Sequence, residues 1–244
     1  MFRTYALGMM NANVLPLSVA PPLVADAASR RREAAAFAAR RSERREVVVL
    51  SADMRGFTQN SQILPASTVL ALLEAFFSSM NEMIECNGGV MVNIQGDTLL
   101  AAFGAGTTGE SGDDPETLCR AITCAQQMQT SFQAMADEWT EEFGIRTALG
   151  IGINRGEAVV GEIGVTGGTP DLRVHTVFGD CVGLAVRFMR RARAGEIVFS
   201  AAVKQAMQES CTVTDTVALP ELLIGGREPV ELYGVIIETR LDFT

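Results

Sequence analysis

Histidine and lysine are almost missing from this sequence, with His175 and Lys204 the single examples. One histidine leaves no cluster for zinc, and one lysine leaves a single candidate for chemistry that needs an amine. No nucleophile-elbow motif is present, so a Ser/His/Asp hydrolase reading fails. No uninterrupted apolar run reaches the ~18 residues of a membrane span. The first 25 residues are broken by Asn11, Asn13, Pro16 and Ser18 behind a lone Arg3, which argues against a secretory leader. An excess of positive charge is lacking too: the net charge is −9, against a role in wrapping nucleic acid. The five cysteines (Cys86, Cys119, Cys124, Cys181, Cys211) are odd in number and lack CxxC spacing. They read as reduced, buried thiols of a cytoplasmic protein.

What is present is ample core material, 48% hydrophobic residues in 244, enough for one domain and a terminal extension. Residues 1–45 read as an irregular arm followed by an Ala/Arg/Glu-rich helical segment over 26–45. Residues 46–244 read as the folded domain. There EVVVLSADMRGF is a buried strand delivering Asp53 to its end. Apolar spacing from Val69 to Ile84 predicts a helix over 65–87, and VMVNIQGDTLLAAFG predicts a hairpin turning at Gln95-Gly96-Asp97. A second long helix is expected over 115–143, then two strands around Asn154-Arg155-Gly156. A strand near His175, a helix GDCVGLAVRFMRRA, and a tail of alternating strands and a helix complete the chain. The order β-α-β-β-α-β predicts an α+β, ferredoxin-like sheet covered by helices on one face.

Two carboxylates, Asp53 at a strand end and Asp97 in a hairpin turn, are the strongest chemical signal. On adjacent central strands they can converge on one divalent cation or two, with phosphates completing an oxygen shell. Beside them, Arg55-Gly56-Phe57-Thr58 can offer backbone N–H groups to phosphate. Read singly, Asp97 serves a turn and Asp53 caps the next segment. The combination carries the argument.

The blocks VVVLSADMRGFT, GGVMVNIQGDTLLAAFG, GIGINRGEAVVGEIG, HTVFGDCVGLAVR and EPVELYGV stand in order over residues 46–237. Together they resemble the catalytic domain of the class III nucleotide cyclases, the adenylyl and guanylyl cyclase family. The resemblance implies a head-to-tail homodimer with composite sites, in which Mg2+ or Mn2+, two ions per site, activates the ribose 3′-hydroxyl. It implies Asp53 and Asp97 as metal ligands, with the Met54 main-chain carbonyl added, and Gly56, Phe57 and Thr58 at the triphosphate. It implies that Arg187 of the other chain steadies charge on the α-phosphate, as a planar guanidinium is suited to do.

Departures from the family pattern leave the base open. Asn93, four residues before Asp97, stands where adenylyl cyclases carry lysine and guanylyl cyclases glutamate. Thr176 stands at a second base-reading position, Gly183 replaces a ribose-orienting asparagine, and Ile224 or Gly225 takes the place of a phosphate-binding lysine. Arg227 is the candidate substitute. An asparagine amide both donates and accepts, so it can read adenine, uracil or cytosine. The expected product is therefore a cyclic nucleotide of adenine or of a pyrimidine. The pyrimidine case resembles stand-alone bacterial cyclases used in antiphage signalling. A catalytically silent cyclase homologue, acting as a dimerisation or nucleotide-binding module, is the competing expectation.

Overall fold

The computed structural model describes residues 42–106, 111–165, 172–210 and 215–236. The arm and most of the Arg-rich segment lie outside these residues. β1 (Ser42–Arg55) leads into a one-turn helix α1 (Phe57–Asn60), then α2 (Ala66–Cys86), β2 (Gly89–Gln95), β3 (Thr98–Phe103) and α3 (Pro115–Phe143). β4 (Ala148–Val165), β5 (Leu172–Phe178), α4 (Asp180–Arg191), β6 (Glu196–Ser200), α5 (Ala201–Ser210), β7 (Val217–Leu222) and β8 (Val230–Ile236) follow. One sheet runs β2-β3-β1-β4-β6-β8-β7, with β5 paired to β4 beside β6. Its first four strands have the antiparallel ferredoxin-like order expected of βαββαβ.

Three expectations are corrected. The segment 42–45 is strand, because β1 pairs with β4 from Ser42↔Gly161 through Arg55↔Ala148. The strands expected around Asn154-Arg155-Gly156 are one continuous β4, since β1 runs unbroken along it and leaves no room for a turn. Helices cover both faces of the sheet rather than one. Side chains alternate along a strand, and β1 sends Val48, Leu50, Ala52 and Met54 into a large core with α2, α3 and α5. Val47 and Val49 go to the other face, where Cys181 and Ala185 of α4 cover them.

The large core is held by stacked rings: Phe76 and Phe132 lie 5.5 Å apart edge-on, and Phe132 and Trp139 5.8 Å. Asp114 caps α3 by accepting from the Glu116 N–H at 3.0 Å, with Pro115 at the first helical position. On the opposite face α4 touches β4 directly at Gly152, where an added Cβ would lie 2.8 Å from the Met189 Cα. The absence of a side chain at Gly152 thus sets the height of α4 above the sheet. Cys124 and Cys181 are buried free thiols, as expected. Cys86 is free but exposed, and Cys119 is disulfide-bonded, against the expectation of reduced thiols: an odd count does not exclude one pair. Cys211 lies outside the described residues.

Candidate active site

Strand alternation puts Asp53 and Ser51 on the α4 side of β1, the face of Val47 and Val49. Asp53 stands opposite Thr98 of β3 and Gly150 of β4. The Thr98 Oγ1 donates to Asp53 Oδ1 at 2.6 Å, and Arg55 Nη1 donates to Oδ2 at 3.1 Å. Asp97 comes from the β2–β3 turn, made tight by Gly96 at φ 64°. Burial first, and the charge of Asp53 second, push the Asp97 carboxyl above its ordinary value; its own backbone and Arg55 pull the other way. The two acids expected from the sequence are therefore neighbours that repel.

Two half-buried carboxylates in one place form a hard-oxygen donor set that a divalent cation relieves. Among the described residues no third His, Cys, Asp or Glu joins them. That count suits Mg2+ or Mn2+, which use one or two carboxylates and leave positions for water and phosphate oxygens. The Met54 side chain is buried in the core, so only its main-chain carbonyl could serve as a ligand.

A cavity of about 420 Å3 opens beside Asp53, floored by Ser51, Thr98, Asn93 and Gln95 and walled by Val182, Val186, Met189 and Arg190 of α4. Asn93 enters it because the register of β2 against β3 shifts between Met91 and Asn93, a bulge that re-aims the side chains beyond it. Asn93 lines the Asp53 cavity of its own chain: β2 lies two strands from β1, roughly 10 Å, so their side chains open onto one hollow. A second cavity of about 350 Å3, on the other face between α3 and β4, holds none of the expected residues.

The remaining candidates stand apart. Thr176 is half-buried on β5, opposite Gly161 at the far half of β4. Arg187 is exposed on α4 and does not line the cavity. Arg227, in a turn closed by its N–H on the Ile224 oxygen, donates to Asp180 Oδ2 at 2.5 Å, which raises its pKa. Both partners of that pair are exposed, and the bond ties the β7–β8 loop to the start of α4. Gly56, at φ 76°, starts α1. One turn of helix leaves its first N–H groups without intrahelical acceptors. Thr58 is exposed, but the Phe57 side chain is buried, its ring 6.5 Å from that of Trp139, which leaves only its main chain to serve a ligand.

Sequence reasoning missed Ser51, Gln95, Thr98 and Arg190 as lining residues and named Arg55 only for its backbone N–H. The Arg55 side chain and Thr98 had a signal, each lying next to or near an expected acid.

The site and sheet together define a ferredoxin-like α+β domain with a pair of neighbouring carboxylates beside a cavity. The chain belongs to the adenylate and guanylate cyclase catalytic domain family, whose model matches residues 40–236. It is 31% identical over 145 residues to an adenylate cyclase of Anabaena cylindrica, covering 58% of this chain and 26% of that one. It is 25% identical over 142 residues to adenylate cyclase 1 of Rhizobium meliloti, covering 58% and 20%. The match thus spans a fifth to a quarter of the length of these relatives. Among solved structures, the guanylyl cyclase Cya2 superposes with a TM-score of 0.68 at 28% identity, covering 80% of this chain and 93% of that one. The adenylyl cyclase CyaB from P. aeruginosa shares the fold, with a TM-score of 0.70 at 23% identity, covering 82% and 97%. No helix among the described residues is long and apolar enough to cross a membrane.

Proposed function

We propose that this chain is a metal-dependent cyclase that turns a nucleoside triphosphate into its 3′,5′-cyclic monophosphate and pyrophosphate. The observation that carries the reading is the mutual placement of Asp53 and Asp97, with Thr98 and Arg55 fixing the first acid. The chemistry these acids would recruit with Mg2+ or Mn2+ is activation of the ribose 3′-hydroxyl and neutralisation of phosphate charge. The N–H groups at Gly56 to Thr58 hold the triphosphate. The 3′-oxygen attacks the α-phosphorus, pyrophosphate leaves, and the hydroxyl proton passes to solvent. Arg187 and Thr176 lie outside the Asp53 cavity, and a second copy in a head-to-tail homodimer supplies them, with Arg227 the substitute for the missing phosphate-binding lysine.

The base is adenine or a pyrimidine. Asn93 and Gln95 line the cavity as neutral amides, and Arg190 is the one cation among its described lining residues. At the position where guanylyl cyclases carry glutamate, Asn93 offers a neutral amide in place of the carboxylate that takes the paired donors of guanine. The product is a soluble signal made where triphosphates are plentiful, in the cytoplasm; in the pyrimidine case it suits antiphage signalling.

The test is incubation of the full chain with Mn2+ and each of the four triphosphates separately, with products resolved by chromatography. A cyclic product from ATP, UTP or CTP is expected, and Asp53→Ala or Asp97→Ala should abolish it while the protein stays folded. No cyclic product from any triphosphate would favour a silent homologue, the reading that Gly183 and the missing lysine support.

A further inference from the structure

Arg55 follows Asp53 by two residues, on the same face of β1. Its Nη1 donates to Asp53 Oδ2 at 3.1 Å, and its Nη2 donates to the main-chain oxygen of Met189 in the last turn of α4. The Met189 oxygen also accepts from the Ala192 N–H at 3.1 Å, and the negative end of the helix dipole there favours a cation. The guanidinium lies against Gly150, where a Cβ would sit 2.7 Å from its Cζ. Its Nε is buried without a partner, so the two ends of the fork, not its middle, hold the group in place. Beyond Asp53, the charges of Asp97 and Glu196 also act on it.

We propose that Arg55 is a positioning residue that ties the Asp53 carboxylate to the end of α4, linking cation binding at the acids to the placement of the helix that bears Arg187. The proposal rests on the reading of Asp53 and Asp97 as metal ligands. Arg55 occupies one oxygen of Asp53 and one carbonyl of α4. A cation at the acids competes with the guanidinium for that oxygen, and Arg55 passes the change to α4.

The test uses the full chain, with Mn2+ alone as the probe, titrated by calorimetry without nucleotide, and turnover measured beside it. Arg55→Met removes the competing charge, so Mn2+ should bind about tenfold tighter while kcat falls about tenfold. Arg55→Lys keeps the charge but, as a compact ammonium, does not span both acceptors. It should bind Mn2+ within about threefold of wild type and still lose kcat, with the nucleotide KM little changed. A merely structural residue would weaken metal binding and lower kcat together. Unchanged or weaker Mn2+ binding in Arg55→Met overturns the proposal, as does full kcat in Arg55→Lys. If the wild-type chain forms no cyclic product, the cyclase reading fails and the calorimetry alone decides the role of Arg55.

Discussion

Replacing Gly152 with alanine should lift α4 off the sheet. The new Cβ would meet the Ala185 oxygen and the Met189 nitrogen, and would lie 2.8 Å from the Met189 Cα. That last distance is about 1 Å inside ordinary carbon contact. All three obstacles are main chain, so no side chain can rotate away; β4 and α4 must separate. Overpacking of this kind costs about 1–3 kcal/mol and more where backbone moves. For a domain of this size each kcal/mol shifts Tm by about 2–4 °C, so a fall of about 3–10 °C is expected in thermal unfolding. Gly183→Ala is the control on the same helix. There a Cβ meets nothing within 4 Å, and alanine outranks glycine in a helix by about 0.5–1 kcal/mol, so Tm should rise. A Gly152→Ala protein melting within about 1 °C of wild type would refute the reasoning. So would two variants that shift the same way.

Gly183→Asn restores the side chain that the family pattern places one turn before Arg187, at an exposed position with open space. Turnover should rise several-fold with little change in Tm, and a fall in kcat/KM counts against the assignment. The raised Asp97 pKa means that the folded chain holds this proton longer than the unfolded one. That contribution is full at pH below the unfolded carboxylate range and is lost as pH rises through the folded pKa. Without metal, wild type should therefore lose Tm relative to Asp97→Asn across that window, and parallel Tm-against-pH curves would reject it. Burial pushes the Cys124 thiol up to about 12 and Cys181 up to about 11. Iodoacetamide near neutral pH should modify exposed Cys86 first, and mass spectrometry showing early labelling of Cys124 or Cys181 would contradict their burial.

Both acids and the order of the first four strands were legible because they rest on local pattern: a β-branched run ending in Asp53, and a hairpin turn holding Asp97. Helices on one face were expected, although the unbroken apolar run Val47 to Leu50 held the signal that β1 is buried on both faces, with a helix on each side. The turn expected at Asn154-Arg155-Gly156 failed because turn residues here serve tertiary contacts. The Asn154 side chain donates to the Cys181 oxygen, and Arg155 pairs with Asp113 at 2.6 Å. The link from Arg55 to Met189 spans 134 residues and ends on a main-chain oxygen, so no sequence pattern encodes it.

Among the described residues β2 is the border of the sheet, hydrogen-bonded to a neighbour strand along one side. Its outer residues Asn93, Ile94 and Gln95 are exposed, and exchanges at such places usually alter stability by about 0.5 kcal/mol or less. Asp53, by contrast, is wedged between two strands and held by two donors. Under the proposed function, mutation at this margin would rewrite which nucleobase is recognised while the pair of acids stays intact, so a lineage would trade one messenger for another in small, tolerated steps.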